Sequence, residues 1–329
     1  MRQATIRDVA REANVSVASV SRTINGHSNV NPATRERVLA AVRALGYVPN
    51  AAARSLSMAL SHTIGVVVPD LHGEFFSELI RGMDTAASAT GYHLLLSTMH
   101  ADLEEARHAI AAMNGRVDGL IVMATQAQPE ELDALLPASI PAVLLNCADG
   151  GGRPVFTIDD RAGAAAIAAH FAALGKRNIL HIMGPESNND ARDRRKGFEE
   201  ELKRLAPSAK LTVVPGNYQE EAGRAAVRDM LNSGNKVDAI FAANDMMALG
   251  AMQELRTNAL DVPGDVVVAG FDDIPLAGFL GLTTMRVHMD QLGAQAVECL
   301  TRLLEGKGGE ERVRLVPDLV IRASTEKPQ

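Results

Sequence analysis

Apolar residues near the amino terminus recur at helical spacing and predict two short helices joined by a tight turn. In the first helix they occupy positions i, i+3, i+4 and i+7, which places on one face Ile6, Val9, Ala10 and Ala13. Thr5 and Asp8 stand three residues apart at its start, as in a capping box. Asn14 comes where the chain must reverse, and Asn tolerates the left-handed backbone region better than most residues. The pattern indicates a helix-turn-helix unit.

The second helix of this unit is predicted to begin after Ser16, a residue that suits an N-cap. Its apolar face contains Val20 and Ile24. Its outer face is a row of small residues ending in an arginine: Val17, Ala18, Ser21 and Arg22. A third helix is delimited by Asn31 and Pro32 at its start and by Gly46 just past its end. Three such helices form a small all-α headpiece, and the outer row of the second is shaped to enter a DNA major groove.

From residue 62 the pattern changes to short, continuously apolar runs that alternate with helical stretches. Such runs predict strands covered on both faces, as in parallel sheets, at residues 64–68, 94–96, 120–123, 143–145, 179–182, 239–241 and 266–268. Helices with alanine-rich faces lie between them, for example residues 163–174 and 220–231. So many parallel strands are easier to place in two doubly wound sheets than in one. We therefore predict an α/β core of two subdomains.

The charge divides unevenly between these two parts of the chain. Residues 1–62 carry eight Arg and no Lys against three acidic residues, a net charge of +5; because the whole chain carries −7, the remainder carries −12. A basic head can bind DNA phosphates while an acidic body avoids them. The chain shows neither a membrane-spanning apolar run nor the apolar core of a signal peptide, which predicts a cytoplasmic protein. Cys147 and Cys299 fit no disulfide framework or metal-ligand spacing.

Polar and aromatic residues follow several of the predicted strands, and ligands of open α/β sheets bind beyond the carboxyl ends of the strands. The candidates are Asp70, His72, Phe75, Phe76 and Asn146 in the first half of the core and Tyr218, Asn244, Asp245 and Asp272 in the second. Aromatic rings stack on sugar faces, and carboxylates and amides bind hydroxyl groups. The set suits a polyhydroxyl ligand.

Two arginines, Arg192 and Arg194, are expected to add bidentate donors to this ligand site. Adjacent residues on a helix point in different directions, so one of Phe75 and Phe76 is expected in the core. The pair Asp159-Asp160 is expected to cap a helix rather than to contact the ligand.

The amino-terminal sequence resembles the start of the lactose/galactose-repressor (LacI/GalR) family of transcription factors. The resemblance is carried by Thr5-Ile6-Arg7-Asp8-Val9-Ala10, by Val15-Ser16-Val17-Ala18-Ser19-Val20-Ser21-Arg22 and by Asn25. The family usually has Gly where this chain has Asn14, a common substitute for Gly at positive φ. The resemblance implies operator contacts from Thr5, Ser16, Val17, Ala18, Ser21, Arg22 and Asn25.

The alanine-rich segment that begins at residue 47 has high helix propensity but is too short to be stable alone in water. The resemblance implies that it is a hinge helix, which forms against its dimer mate on operator DNA and places a Leu in the minor groove. The matching positions are Asn50, Ala53 and Leu56. An ordinary linker is the alternative.

The resemblance also implies the organisation of the whole chain. Residues 1–46 are the headpiece, 47–61 the hinge helix or linker, and 62–329 the effector-binding and dimerisation core. The core is expected to resemble a periplasmic binding protein, with two Rossmann-like subdomains: an N-subdomain of about 62–160 plus 289–317, and a C-subdomain of about 161–288 plus 318–329. Effector contacts at Arg194, Asn244, Asp245 and Asp272, with Tyr218 near a stacking position, are implied as well.

The expected function is that of a homodimeric repressor that binds palindromic operator DNA and is released by a sugar or sugar derivative. A dimer is expected rather than a tetramer because no leucine heptads follow the strand-like residues 319–321. Alternatives within the family are a purine or nucleoside corepressor and a partner protein. A transport binding protein and a carbohydrate-acting enzyme are the other classes. No nucleotide-binding, nucleophile-elbow or zinc-protease motif is present, so we predict no catalytic residue, cofactor or metal.

Overall fold

The structure is a computed structural model that describes residues 4–26, 29–47, 60–71, 73–100, 102–147 and 150–326. The chain forms two compact units, residues 1–61 and residues 62–329, and each is described separately. The described part of the first unit contains α1 (Ile6–Glu12), α2 (Val17–Ile24) and α3 (Pro32–Leu45). Their buried faces form one small core: Val9, Ala10, Ala13, Val20, Val38 and Ala41.

The helix boundaries of the first unit follow the local signals in the sequence. The Thr5 N–H donates to Asp8 Oδ2 over 3.0 Å and the Asp8 N–H donates to Thr5 Oγ1 over 3.3 Å, which confirms the capping box. Asn14 has a φ of 51° and therefore adopts the predicted left-handed turn. The φ of Gly46 is 57°, which ends α3 as predicted.

The second unit alternates strands and helices along the chain. Its strands are β1 (Thr63–Val68), β2 (His93–Thr98), β3 (Gly119–Met123), β4 (Ala142–Leu145), β5 (Val155–Ile158), β6 (Asn178–Ile182), β7 (Lys210–Val214), β8 (Ala239–Ala242), β9 (Val267–Ala269), β10 (Thr284–Arg286), β11 (Arg312–Leu315) and β12 (Asp318–Val320). Its helices are α4 (Glu74–Ala89), α5 (Leu103–Met113), α6 (Pro129–Leu135), α7 (Asp160–Ala173), α8 (Asn189–Leu205), α9 (Glu220–Asn232), α10 (Asp245–Thr257), α11 (Pro275–Phe279) and α12 (Met289–Leu304).

Two parallel sheets organise this unit, as the apolar runs predicted. The sheet with strand order β11-β5-β4-β3-β1-β2 defines the N-subdomain, and the sheet with order β7-β6-β8-β9 defines the C-subdomain. Helix pairs pack on them, α4 with α12, α7 with α8 and α9 with α10. The predicted α/β core of two Rossmann-like subdomains is confirmed.

One expectation about the strands needs correction. The run in β2 was expected to be covered on both faces, but β2 is a sheet edge and exposes Leu95 and Leu96. The strands β5, β7, β10 and β11 were not predicted. The strand-like residues 319–321 overlap β12, which forms a separate antiparallel pair with β10. Within the described ranges, no helix has the length and apolar character needed to cross a bilayer.

A buried histidine lies in the core of the C-subdomain. The His181 ring stacks on Phe198 and Phe241, with ring centroids 5.8 and 4.6 Å away. Its Nδ1 lies 3.0 Å from the Phe241 carbonyl oxygen, and its Nε2 is buried without a hydrogen-bond partner among the described residues. Burial lowers the pKa of His181 to about 4. The folded protein therefore holds this ring neutral.

We expect His181 to make the protein sensitive to acid. The histidine pKa is about 6.5 in the unfolded chain. The stability that the neutral His181 ring gives the folded protein is therefore fully present above pH 6.5 and is lost as the pH falls towards 4. Lowering the pH from 7 to 5 is expected to reduce the unfolding free energy by about 2 kcal/mol through this group. Urea unfolding of wild type and His181→Phe at both pH values measures it, because the other titrating groups cancel between the two proteins. Equal pH dependence in both would contradict the assignment.

Candidate functional site

A cavity of about 340 Å³ lies in the second unit at the carboxyl ends of strands from both subdomains. The N-subdomain lines it with the segments after β1, β2 (His100) and β3, and the C-subdomain with those after β6, β7, β8 and β9. This is where open parallel sheets bind ligands. The volume is within the range of small-molecule sites.

The structure places most of the candidate ligand residues on the wall of this cavity. Those that line it are Asp70, Phe75, Phe76, Arg194, Tyr218, Asn244 and Asp272. His72 lies outside the described residues. Three other candidates are not on the wall: Asn146, Arg192 and Asp245.

Each of these three residues is used elsewhere. The Arg192 guanidinium donates to the Glu186 carbonyl oxygen over 2.8 Å and to Asn189 Oδ1, so it stays at the beginning of its own helix. The buried Asp245 carboxylate accepts hydrogen bonds from the Thr284 hydroxyl and, over 2.9 Å, from the Ile274 N–H, so it holds the loop after β9. Asn146 instead bridges the subdomains, as described below.

Three aromatic side chains belong to the apolar part of the wall. Phe75 and Phe76 are both half-buried and both line the cavity, with ring centroids 5.1 Å apart at an interplanar angle of 80°. One of the two was expected in the core; instead both rings pack partly buried against the core and both line the cavity, because α4 begins here and its first turn faces the cavity. Tyr218 has a φ of 67°, and its hydroxyl lies 3.4 Å from Asn188 Oδ1. Flat rings of this kind can stack on a ligand ring.

A buried arginine is the centre of the polar part of the wall. Arg194 lies 2.6 Å from Asp160 Oδ1 through Nε and 3.4 Å from Asp272 Oδ1 through Nη1. Nη1 also donates to the Ala243 carbonyl oxygen, and the guanidinium carbon lies 3.8 Å above the centroid of the Phe271 ring. The Arg194 and Asp272 side chains are 4% and 5% exposed, so solvent screens these contacts little.

Close packing of α7 on α8 makes the pairing of Arg194 with Asp160 possible. A Cβ atom at Gly197 would lie 2.1 Å from the Arg161 carbonyl oxygen, so only glycine allows this approach. Asp159 caps α7 as expected, because it accepts the Ala162 N–H over 3.0 Å. Asp160, which was also expected to cap, instead forms the buried ion pair. Asp160 lies one residue after Asp159, and this difference in position along α7 turns the Asp160 carboxylate inward.

The carboxyl groups around Arg194 are shifted towards their neutral form. Burial raises the pKa of Asp272 to about 7, although the Arg194 charge lowers it. Burial and then the charge of Asp160 raise the pKa of Asp190 well above its ordinary value. Burial opposes the charge of Arg194, but the Asp160 and Asp272 carboxylates raise its pKa above the usual range. At neutral pH the arginine is charged, and burial disfavours the charged form of Asp190.

Sequence reasoning missed several polar residues on the wall. Asp190 and Asn188 begin α8, and Thr125 and Gln126 follow β3. Asn188 had a usable signal, because it caps α8 by accepting the Ala191 N–H over 3.0 Å. For Asp190 the first turn of a helix gives a general reason for an acidic residue, and only the fold shows that it faces the cavity.

Several hydrogen bonds cross the cleft between the subdomains. Asn146 Nδ2 donates to Asp190 Oδ2 over 3.2 Å, and Asn188 Nδ2 donates to Thr125 Oγ1 over 3.0 Å. At the other side of the cavity, the Leu276 N–H donates to Glu74 Oε2 over 3.0 Å. A ligand in the cavity therefore lies beside the contacts that hold the two subdomains together.

The second helix of the first unit presents the predicted outer row. Val17, Ala18 and Arg22 are exposed, and Ser16 caps the helix by accepting the Ser19 N–H over 3.1 Å. Ser21 and Asn25 are half-buried, with Asn25 Nδ2 3.5 Å from Ser21 Oγ. Thr5 is exposed at the start of α1. The hinge candidates Asn50, Ala53 and Leu56 lie outside the described residues.

Comparisons with known proteins agree with this arrangement. Residues 5–50 match the family model of bacterial regulatory proteins, lacI family, and residues 168–325 match that of the periplasmic binding protein-like domain. Catabolite control protein A of Priestia megaterium is 34% identical, covering 98% of this chain and 99% of its own. The ribose operon repressor of Escherichia coli K12 is also 34% identical, with the same coverage.

A solved structure of the lac repressor dimer bound to operator and the anti-inducer ONPF is similar over both units. It superposes with a TM-score of 0.88 at 30% sequence identity and covers 98% of this chain and 99% of its own. Two of these relatives, the ribose operon repressor and the lac repressor, are named as repressors. Within the described residues, no group of three or more His, Cys, Asp or Glu side chains is placed to hold a metal ion. The helix-turn-helix, the two-subdomain core and the full-length similarity together show that the chain belongs to the lacI family of bacterial regulatory proteins.

Proposed function

We propose that this protein is a dimeric repressor whose operator affinity is controlled by a sugar or sugar derivative bound in the cavity of the core. The observation that carries the proposal is the cavity itself, because its wall comes from both subdomains and combines aromatic rings with carboxyl and amide groups. Such a wall suits a ring that carries several hydroxyl groups. The name of the ribose operon repressor among the relatives supports a sugar.

The proposed mechanism is linkage between the cavity and the DNA. A ligand that contacts both subdomains favours the arrangement in which its contacts are complete. If that arrangement binds operator less well, the ligand lowers operator affinity by the same factor by which operator lowers ligand affinity. The hydrogen bonds from Asn146 to Asp190 and from Leu276 to Glu74 are part of what the ligand would rearrange.

The proposed DNA contacts are those of the outer row of α2. Val17 and Ala18 offer methyl groups to thymine, and Arg22 can donate two hydrogen bonds to a guanine edge. Ser16, Ser21, Asn25 and Thr5 are proposed to contribute polar contacts, with residues 1–46 as the DNA-binding part. Residues 47–61, with Asn50, Ala53 and Leu56, are proposed as the hinge. Because operator DNA is the partner, we propose that the protein acts in the cytoplasm and needs no cofactor besides its effector.

The direct test combines operator and ligand titrations on the full chain. Operator affinity is measured with and without each member of a sugar panel, and the same panel is screened for an increase in melting temperature, since a ligand of the folded state stabilises it. A sugar that raises the melting temperature and weakens operator binding supports the proposal. A purine or nucleoside that strengthens operator binding would replace it with the corepressor alternative.

An apolar surface on α11 is proposed as part of the dimer interface. Phe279 is 87% exposed, and Leu276 and Leu280 are exposed next to it. A phenyl ring with so little cover is costly in water, and contiguous exposed apolar residues mark association sites. We propose that a second copy covers this surface, and the similar lac repressor structure, which is a dimer, supports an assembly of two copies.

Replacing Phe279 with Asp is expected to raise the dimer dissociation constant at least about 100-fold, because a two-fold interface contains the residue twice. Sedimentation equilibrium measures the change, and operator affinity should fall with it. Val316→Asp is the matched control, since Val316 is also exposed but lies between β11 and β12. If Phe279→Asp remained as dimeric as this control, α11 would not be in the interface.

A further inference from the structure

The charges on the cavity wall limit what kind of ligand it can hold. Four carboxyl side chains face the cavity: Asp70, Glu74, Asp190 and Asp272. Among the described residues, Arg194 is the one guanidinium or ammonium group on the wall. Sequence reasoning expected a second arginine here, Arg192, and a pair of arginines would suit an anion. Because Arg192 is turned to Glu186 and Asn189, that pair is not formed.

The charge of Arg194 is already compensated. Its Nε is 2.6 Å from Asp160, its Nη1 is 3.4 Å from Asp272, and Nη1 also donates to the Ala243 carbonyl. A phosphate or carboxylate of a ligand would have to share this guanidinium with two buried carboxyl groups. Displacing either of them would leave that carboxyl without its partner, which is unfavourable away from water.

The surroundings of Asp190 also disfavour a negatively charged ligand. Its carboxyl group receives a hydrogen bond from Asn146 Nδ2 over 3.2 Å and forms no ion pair with any residue that the structure describes. Burial and the charge of Asp160 raise its pKa, so the site opposes the charge even of its own carboxyl group. A hydroxyl group meets no such obstacle, because it can donate to a carboxylate and accept from a carboxylic acid.

We propose that the cavity accepts a polyhydroxyl ligand that carries no negative charge and rejects the same ligand when it carries a phosphate or carboxylate, with Asp190 as a main determinant of this discrimination. The inference rests on the proposed function, which places a sugar in this cavity. It adds a chemical class to that site: a free sugar or polyol rather than a sugar phosphate or sugar acid.

The test uses matched probes on the full-length protein. Pentoses, hexoses, hexitols and disaccharides are compared with their phosphates and aldonic acids by melting temperature and by calorimetric titration at one fixed pH. We expect at least one neutral member to bind and its anionic forms to bind at least about 100-fold more weakly. An anionic form that binds as tightly as its neutral parent, or a panel in which no neutral member binds, overturns the proposal.

Asp190→Asn tests the residue assigned to the discrimination. The amide keeps the size of the side chain and can still contact Asn146, but it removes the acidic group. We expect the preference for the neutral member to fall about 10-fold or more. Asp193→Asn is the matched control, because Asp193 is exposed on the same helix and is not on the cavity wall. An unchanged preference in Asp190→Asn, with both variants folded, would remove Asp190 from the assignment.

Operator binding separates this inference from the proposed function. If a neutral sugar binds selectively but leaves operator affinity unchanged, the ligand class stands and the regulatory role of the cavity fails. If an anionic ligand binds and changes operator affinity, the regulatory role stands and the ligand class fails.

Discussion

Replacing Arg194 with Met is expected to lower the unfolding free energy of the core by about 3 to 5 kcal/mol. The variant leaves two buried carboxyl groups, Asp160 and Asp272, without the cation that they share. It also removes the Arg194 hydrogen bond to the Ala243 carbonyl oxygen and the guanidinium above the Phe271 ring. Urea unfolding monitored by circular dichroism measures the loss.

Arg195→Met is the matched control for this prediction. Arg195 is the next residue on α8, but its ion pair with Glu199 is half-exposed, so its removal should change stability by less than about 0.5 kcal/mol. Equal stability of the two variants would mean that Arg194 does not hold the site together. The expected instability also means that weakened ligand binding by Arg194 variants does not by itself identify a ligand contact. Asp272→Asn is the better variant for that purpose, because it keeps the shape of the side chain.

Replacing Arg22 with Ala is expected to weaken operator binding by about 2 to 6 kcal/mol. One bidentate contact to guanine contributes about 1 to 3 kcal/mol, and a dimer makes the contact in both half-sites. The side chain is exposed on the outer row of α2, so its loss leaves the small core of the headpiece intact. Titration of a labelled operator measures the change in affinity, and selection from randomised operators measures the change in base preference.

Arg11→Ala is the control for this prediction. Arg11 carries the same charge in the same unit, but it lies on α1, where its guanidinium pairs with Asp8. Loss of a phosphate contact weakens binding to all sequences alike, whereas loss of a base contact relaxes the preference at one position per half-site. If Arg22→Ala kept the wild-type base preference, Arg22 would contact the DNA backbone rather than a base.

Local signals accounted for the parts of the fold in which neighbours in sequence interact. The capping box of Thr5 and Asp8, the positive φ of Asn14 and the end of α3 at Gly46 each depend on a few adjacent residues. The long apolar runs predicted β1, β3 and β6, because strands covered on both faces need apolar residues throughout. By contrast, β7 and β11 alternate exposed and half-buried residues and contain charged side chains, so their runs are not continuous.

The candidate site was predicted in outline, because parallel strands present their carboxyl ends at one edge of a sheet. This predicted Asp70, Tyr218 and Asp272 at one site without knowledge of the fold, and all three line the cavity. The positions of the strand ends gave no information on which face of a helix a side chain lies. Arg192 and Arg194 are two residues apart on α8 and so point to nearly opposite sides, and only one of them can face the cavity.

The sequence by itself determined the helix-turn-helix, the alternation of strands and helices, the two-subdomain core and the strand ends that line the cavity. These follow from spacing, caps and apolar runs, which act over a few residues. Only the tertiary structure decided that Asp160 pairs with Arg194, that Arg192 turns away and that Asp190 faces the cavity beside Asn146. The reason is that these contacts join residues 34 to 44 positions apart, or depend on which face of a helix is buried. The packing of α7 on α8 at Gly197 brings Asp160 to Arg194.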